Sequence, residues 1–134
     1  MVTVYPMGTT IYKPDKCWNG YTLIPESIGD KKPMRLIDMN GNVVHTWPED
    51  VSDAPKSELS RAQLLKNGNV VRLSGRYRCS PKERPCGWIV ELDWHGNLIK
   101  KLMLPRGQSA HHNFQRLDNG HTFAVTFESC PKAT

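Results

Sequence analysis

The sequence predicts an all-β fold, and within that class a β-propeller of four-stranded antiparallel blades. Three observations predict it. Strand-like runs are joined again and again by short turns ending in glycine: Met39-Asn40-Gly41, Lys66-Asn67-Gly68, Trp94-His95-Gly96 and Asp118-Asn119-Gly120. Asn and Gly tolerate the positive φ that tight hairpins need. The turns are of two alternating kinds. Ile37-Asp38-Met39-Asn40-Gly41-Asn42 resembles Leu92-Asp93-Trp94-His95-Gly96-Asn97, with Gly96 standing 55 residues after Gly41. Gln63-Leu64-Leu65-Lys66-Asn67-Gly68-Asn69 resembles Gln115-Arg116-Leu117-Asp118-Asn119-Gly120-His121, with Gly120 standing 52 residues after Gly68. A period of about 50 residues with two hairpins per period fits one propeller blade. No convincing long amphipathic helix interrupts it.

Taken in order, residues 1–19 form an irregular segment punctuated by Pro6, Gly8 and Pro14, with Thr10–Lys13 a candidate short strand. Residues 20–134 form the partial propeller. Residues 20–47 supply the last three strands of one blade. Pro48 to Ser60 is a polar connector, with room for a helical turn at Asp53–Leu59. Residues 62–102 make a full blade, its middle strands separated by a turn-rich loop between Cys79 and Cys86. Residues 112–127 start the next blade. The chain therefore holds about two to two and a half blades, whereas a propeller closes with about four to eight. Completion by a longer protein, by several copies, or by a different chain is expected.

Composition narrows the functional classes. The 134 residues carry a formal net charge of +5. Such a charge suits anions but equally a solvated basic surface. Lys and Arg are scattered rather than gathered into a stripe, so no nucleic-acid partner is expected. No segment is apolar and long enough to span a bilayer, and the N-terminus lacks a basic flank and apolar core. The four cysteines contain no CxxC, which excludes zinc-ribbon and c-type haem readings. Cys79 and Cys86 bracket a short loop whose closure by a disulfide favours an oxidising compartment. Four reduced thiols are the alternative, and Cys17 with Cys130 the remaining pairing.

The chemistry concentrates in Ser109–Thr122, which holds three of the five histidines. Two stretches carry a resemblance. Thr10-Ile11-Tyr12-Lys13-Pro14-Asp15-Lys16-Cys17-Trp18-Asn19-Gly20-Tyr21-Thr22-Leu23 resembles the opening of arylsulfotransferase-like propeller proteins. His111-His112-Asn113-Phe114-Gln115-Arg116-Leu117-Asp118-Asn119-Gly120-His121-Thr122 is similar to that family's His-His-Asp-Phe-Gln-Arg-Leu-x-Asn-Gly-Asn-Thr signature. It departs at Asn113, where Asp is usual, and at His121, where Asn is usual. The resemblance spans nearly the whole chain and corresponds to the N-terminal part of a typical member. It implies a six-bladed propeller, periplasmic or extracellular, that moves a sulfuryl group from an aryl sulfate to a phenol without PAPS or another cofactor. It also implies a transiently sulfurylated histidine and a sulfate-binding arginine further along than this chain reaches.

By the repeat, His111, His112 and Asn113 take the places of Leu59, Ser60 and Arg61, just before an innermost strand at the channel mouth. Imidazoles there can bind a sulfuryl group, protonate a leaving phenolate or attack sulfur. His112 and His111 are the expected catalytic residues. Strand alternation lets only one face the channel, with His112 preferred. Arg61, Asn113 and Arg116 are the expected substrate-binding residues. Arg61 lies near the basic run Arg72, Arg76, Arg78. Arg116 has a competing reading as an inter-blade salt bridge, because Leu64 fills its place one blade earlier. Capped loop histidines are the competing reading for His111 and His112. No metal is expected, since the spacing of His111, His112 and His121 matches no zinc pattern. His45 and His95 read as surface residues, and His121 as structural. The four tryptophans read as packing between blades. The non-enzymatic alternative is a truncated propeller that binds partners or assembles through open blade edges.

Overall fold

The computed structural model describes residues 11–25, 33–48, 61–75 and 87–128. Within them the chain is all-β, with a single 3-10 turn at Pro14–Lys16. No strand forms at Ile11–Lys13, and the 3-10 turn follows directly, with Pro14 setting φ at its first position. Asp53–Leu59, Arg76, Arg78, Cys79, Cys86 and Cys130 lie outside the described residues. Cys17 is exposed and free.

Three antiparallel sheets follow one another. β1 (Thr22–Ile24), β2 (Arg35–Ile37) and β3 (Val43–Thr46) make the first. β4 (Arg61–Leu64), β5 (Val70–Gly75), β6 (Gly87–Leu92) and β7 (Leu98–Met103) make a complete four-stranded second sheet in sequential order. β8 (Gln108–Arg116) and β9 (Thr122–Glu128) make the third. This is the meander order that partial blades require.

The repeat extends to hydrogen bonds. In all four hairpins the glycine N–H donates to the carbonyl three residues earlier: Gly41 to Asp38, Gly68 to Leu65, Gly96 to Asp93, Gly120 to Leu117, at 2.9 to 3.1 Å. Each of these glycines has φ between 84° and 87°. That is a type I turn closed by a left-handed residue, a position only glycine fills without strain. The turns at Gly41 and Gly96 add an aspartate clamp. Asp38 accepts from the Asn42 backbone and side-chain amides at 2.8 and 2.9 Å, and Asp93 does the same with Asn97 at 2.8 Å for both. Those bonds hold both carboxylates below the usual aspartate pKa, the side-chain amide being the largest cause. Both hairpins carry a register shift before the turn, between Leu36 and Ile37 and between Glu91 and Leu92.

Alternation along the strands sends side chains to two different interfaces. Toward the first sheet, Val70, Val90 and Leu92 pack with Met34, Leu36 and the fully buried Trp47. Toward the third, Val71, Leu73 and Ile89 pack with Phe114. The middle strands β5 and β6 are thus buried on both faces, which is why β6 reads as a near-continuous apolar run. His45 corrects the surface reading. It is half-buried, stacked on Trp94 at 3.8 Å and edge-on to Trp47 at 4.4 Å, and its Nε2 lies 2.8 Å from the Trp94 carbonyl. Trp47 donates to the Asp93 carbonyl at 3.1 Å, so it joins the first two sheets as expected. Trp18, in contrast, is exposed. Arg72 is buried on the face toward the first sheet, so it is not part of a basic run beside Arg61.

Candidate functional site

β8 is the longest strand and the most irregular. Ala110 pairs with Thr126 and Phe114 pairs with Ala124. Three residues, His111, His112 and Asn113, therefore stand opposite Val125 alone. They lie within β8, not ahead of it, because pairing with β9 begins at Gln108. Phe114 opposite Ala124 keeps the register of Ala62 opposite Arg72, so β8 carries an excess of two residues ahead of Phe114. The excess is absorbed by His112, the sole non-glycine residue with positive φ among those described, at 50°. Such a conformation costs a non-glycine residue about 1–3 kcal/mol and persists only where its surroundings impose it.

The turn at His112 also breaks side-chain alternation. The two imidazoles are neighbours, with ring centroids 4.5 Å apart at 69°. His111 is half-buried with its ring 4.1 Å from that of Phe127, while His112 is exposed. Strict alternation would have sent them to opposite faces; the bulge puts them together. Asn113 is exposed, and its Oδ1 accepts from the Phe114 N–H at 3.0 Å, leaving the amide NH2 directed outward from that bond. Arg61, at the same repeat position in the second sheet, joins Asn113 in lining a depression of about 230 Å³ with Phe114, Gln115, Phe123, Ala124 and Val125. Arg61 is exposed and its guanidinium has a planar fork suited to a tetrahedral anion.

Arg116 sits elsewhere. Its Nη1 is 3.0 Å from Glu91 Oε2, with both side chains about nine-tenths buried. Its Nε donates to Thr122 Oγ1 at 2.6 Å, and Asn69 donates to the other Glu91 oxygen at 2.9 Å. Its backbone is gripped as well: the Arg116 N–H donates to Gln63 Oε1 at 2.9 Å and its carbonyl accepts from Gln63 Nε2 at 3.0 Å. The guanidinium therefore joins the second and third sheets, the inter-blade arrangement weighed for it from the sequence. Gln63, Glu91, Asn69 and Thr122 were not singled out in the sequence. The recurrence of Gln63 as Gln115 is the signal that marks the first of them. His121 is exposed and its N–H donates to Asn119 Oδ1 at 3.0 Å, a turn-closing bond. Among the described residues no group of three or more His, Cys, Asp or Glu is placed to hold a metal.

These features define an all-β protein of repeated antiparallel sheets, with two histidines side by side in the β8 bulge and an asparagine and an arginine sharing a depression. The family model described as arylsulfotransferase (ASST) matches residues 10–133, and the chain belongs to that family. Neither the curated proteins nor the solved structures yield a match.

Proposed function

We propose that this chain forms part of an aryl-sulfate sulfotransferase, transferring a sulfuryl group from an aryl sulfate to a phenol, and that its share is an anion-holding, proton-supplying corner. The observation that carries the reading is the β8 bulge, which places His111 and His112 side by side next to the depression shared by Asn113 and Arg61. Arg61 and the Asn113 amide hold sulfate oxygens through charge-assisted and neutral hydrogen bonds. His112, the more exposed imidazole, donates a proton to the phenolate oxygen as the S–O bond breaks. His111, its ring against those of His112 and Phe127, supports the charge developing on the sulfuryl oxygens. Arg116 acts as a positioning residue, fixing β8 against the second sheet. The sulfuryl acceptor histidine and further sulfate ligands belong to blades completing the ring, and the family match supports a periplasmic or extracellular compartment. No helix among the described residues is long and apolar enough to cross a membrane.

Binding and transfer are tested separately. On this chain, titration with 4-nitrophenyl sulfate is followed through the histidine ring resonances. His111 and His112 shift together, and Arg61→Ala removes the response. In the complete enzyme, His112→Ala lowers transfer from 4-nitrophenyl sulfate to phenol by about 10²-fold or more. Unchanged transfer in that variant eliminates the role given to His112.

A further inference from the structure

The joint between the second and third sheets carries charges where the repeat elsewhere carries leucines. Arg116 and Glu91 occupy the repeat positions of Leu64 and Leu36, and Leu36 lies in the apolar cluster between the first two sheets. Hydrophobic side chains of similar volume often stabilise as well as a buried ion pair, or better, so the joint does not require the charges. The turns beside it follow suit. Lys66 and Asp118 are equivalent positions of opposite charge, and Lys66 Nζ lies 2.5 Å from Asp118 Oδ2 across the two sheets. Both pairs line one cleft of about 510 Å³ between the β4–β5 and β8–β9 turns, together with Leu65 and Leu117. That volume falls within the range of small-molecule sites, about 300–1,000 Å³. Arg116 and Glu91 are its deep, nearly buried pair; Lys66 and Asp118, 86% and 83% exposed, stand at its rim.

The hydrogen-bonding capacity left in the cleft is lopsided toward donors. Glu91 accepts from Arg116 on one oxygen and from Asn69 on the other. Gln63 commits both ends of its amide to the Arg116 backbone. Arg116 donates from Nε to Thr122 and from Nη1 to Glu91, and its Nη2 has no partner among the described residues although the side chain is only 9% exposed. That nitrogen is not among the atoms sealed from solvent. Lys66 keeps further ammonium donors, and its exposed pairing with Asp118 is worth little and easily exchanged. We infer that this cleft is a binding site for a small organic carboxylate, with its oxygens on Arg116 Nη2 and Lys66 and its apolar body against Leu65 and Leu117. Two donor groups match the two oxygens of a carboxylate. A tetrahedral oxyanion would leave oxygens without donors in a cleft that already holds Glu91 and Asp118. Binding here requires no transfer chemistry at the β8 bulge, and both walls of the cleft belong to this chain.

The test titrates benzoate into the full chain at constant ionic strength and follows the NMR resonances of the Arg116 Nε–H, the Lys66 and Leu117 amides, and the His111 and His112 rings. The first three shift together and saturate, while the histidine rings stay still. Lys66→Gln weakens binding by about two- to fivefold, the scale of one exposed ion pair. Asp118→Asn frees Lys66 and removes a like charge from the rim, so it tightens binding by a similar factor. Both substitutions fall at exposed positions, and circular dichroism checks that each protein stays folded. Combining Glu91→Leu with Arg116→Leu, the residues that the repeat itself uses, abolishes the response. Benzamide and benzylammonium, which keep the ring and lose the anion, move nothing. Inorganic sulfate, which lacks the apolar body, binds at least about tenfold more weakly, as expected for loss of apolar burial. The inference is overturned by an absent or non-saturating response at Arg116, by benzamide, benzylammonium or sulfate matching benzoate, or by weaker binding in Asp118→Asn. A benzoate response confined to the histidine rings also overturns it and places the anion in the bulge instead.

Discussion

Replacing Glu91 by leucine isolates what joins the second and third sheets. The repeat itself suggests the substitution, since Leu36 occupies the Glu91 position one sheet earlier. In Glu91→Leu the Arg116 guanidinium stays about nine-tenths buried and loses the carboxylate 3.0 Å away, while the Asn69 amide loses its acceptor. Removing one partner from a buried pair costs about 3–5 kcal/mol, chiefly the uncompensated charge. Arg116→Leu, which restores the residue of the Leu64 position, strands Glu91 in the same way. The double substitution leaves neither charge, so its cost falls well below the sum, with a coupling energy of about 2–3 kcal/mol. Urea unfolding of the four proteins, followed by circular dichroism, reads the cycle, with a common m value confirming that unfolding stays comparable. Additive effects, or a single substitution costing under about 1 kcal/mol, would refute the view that this pair is buried and mutually dependent. The same proteins separate positioning from binding. The double variant keeps the histidine response to 4-nitrophenyl sulfate, because Arg61 supplies the cation; loss of the response would make Arg116 a direct ligand.

Three further outcomes follow from local geometry. A Cβ added at Gly87 would lie 2.6 Å from Leu104 Cδ1, 2.8 Å from Ala110 Cβ and 3.1 Å from the Ala110 nitrogen, so Gly87→Ala forces β8 outward and lowers stability by about 1–3 kcal/mol, visible as a reduced thermal midpoint. His112→Gly relieves the 50° φ and raises stability by up to about 1 kcal/mol, measured in the same melts, while eliminating the sulfate response of this position. Asp38 and Asp93 have folded-state pKa values below the ordinary 3.8. Their clamps therefore contribute fully above that value and are lost as pH falls through the lower folded values. The Asn42 and Asn97 side-chain amide resonances should accordingly stay fixed at pH 5 and move only below about 3.8.

The fold was readable because turn chemistry is local. A glycine at φ near 85° leaves a residue-type signature, and four such turns in alternating kinds fix strand order with no knowledge of long-range packing. The candidate site was readable only in composition. The repeat sets His111, His112 and Asn113 in the places of Leu59, Ser60 and Arg61, but that placement is equally satisfied by a loop before the strand or a bulge within it. Pairing with β9 decides that, and with it whether the two rings diverge or meet. Arg116 illustrates the other gap. An arginine beside two histidines reads as an anion ligand until Glu91, 25 residues earlier, is seen to face it across a sheet interface. His45 is similar: its environment is made by Trp94, 49 residues away, and no local pattern predicts that stacking.

The placement of β8 follows from one constraint acting on two different jobs. A strand that bears chemistry must expose side chains at its mouth, yet it must also be held rigidly against the neighbouring sheet. β8 divides these along its length. Phe114 and Arg116, at one end, are packed and hydrogen-bonded into the second sheet with no excess residue. His111 and His112, in the middle of the strand, occupy the part of the ladder where pairing with β9 is interrupted. Had the excess been a single residue, the two parts of β8 would present opposite faces, since a one-residue slip inverts every side chain. An excess of two residues, absorbed between Ala110 and Phe114, preserves the facing of both flanks. The histidines are therefore displayed at the cost of local strain at His112, and the joint between sheets keeps the register that Ala62 makes with Arg72.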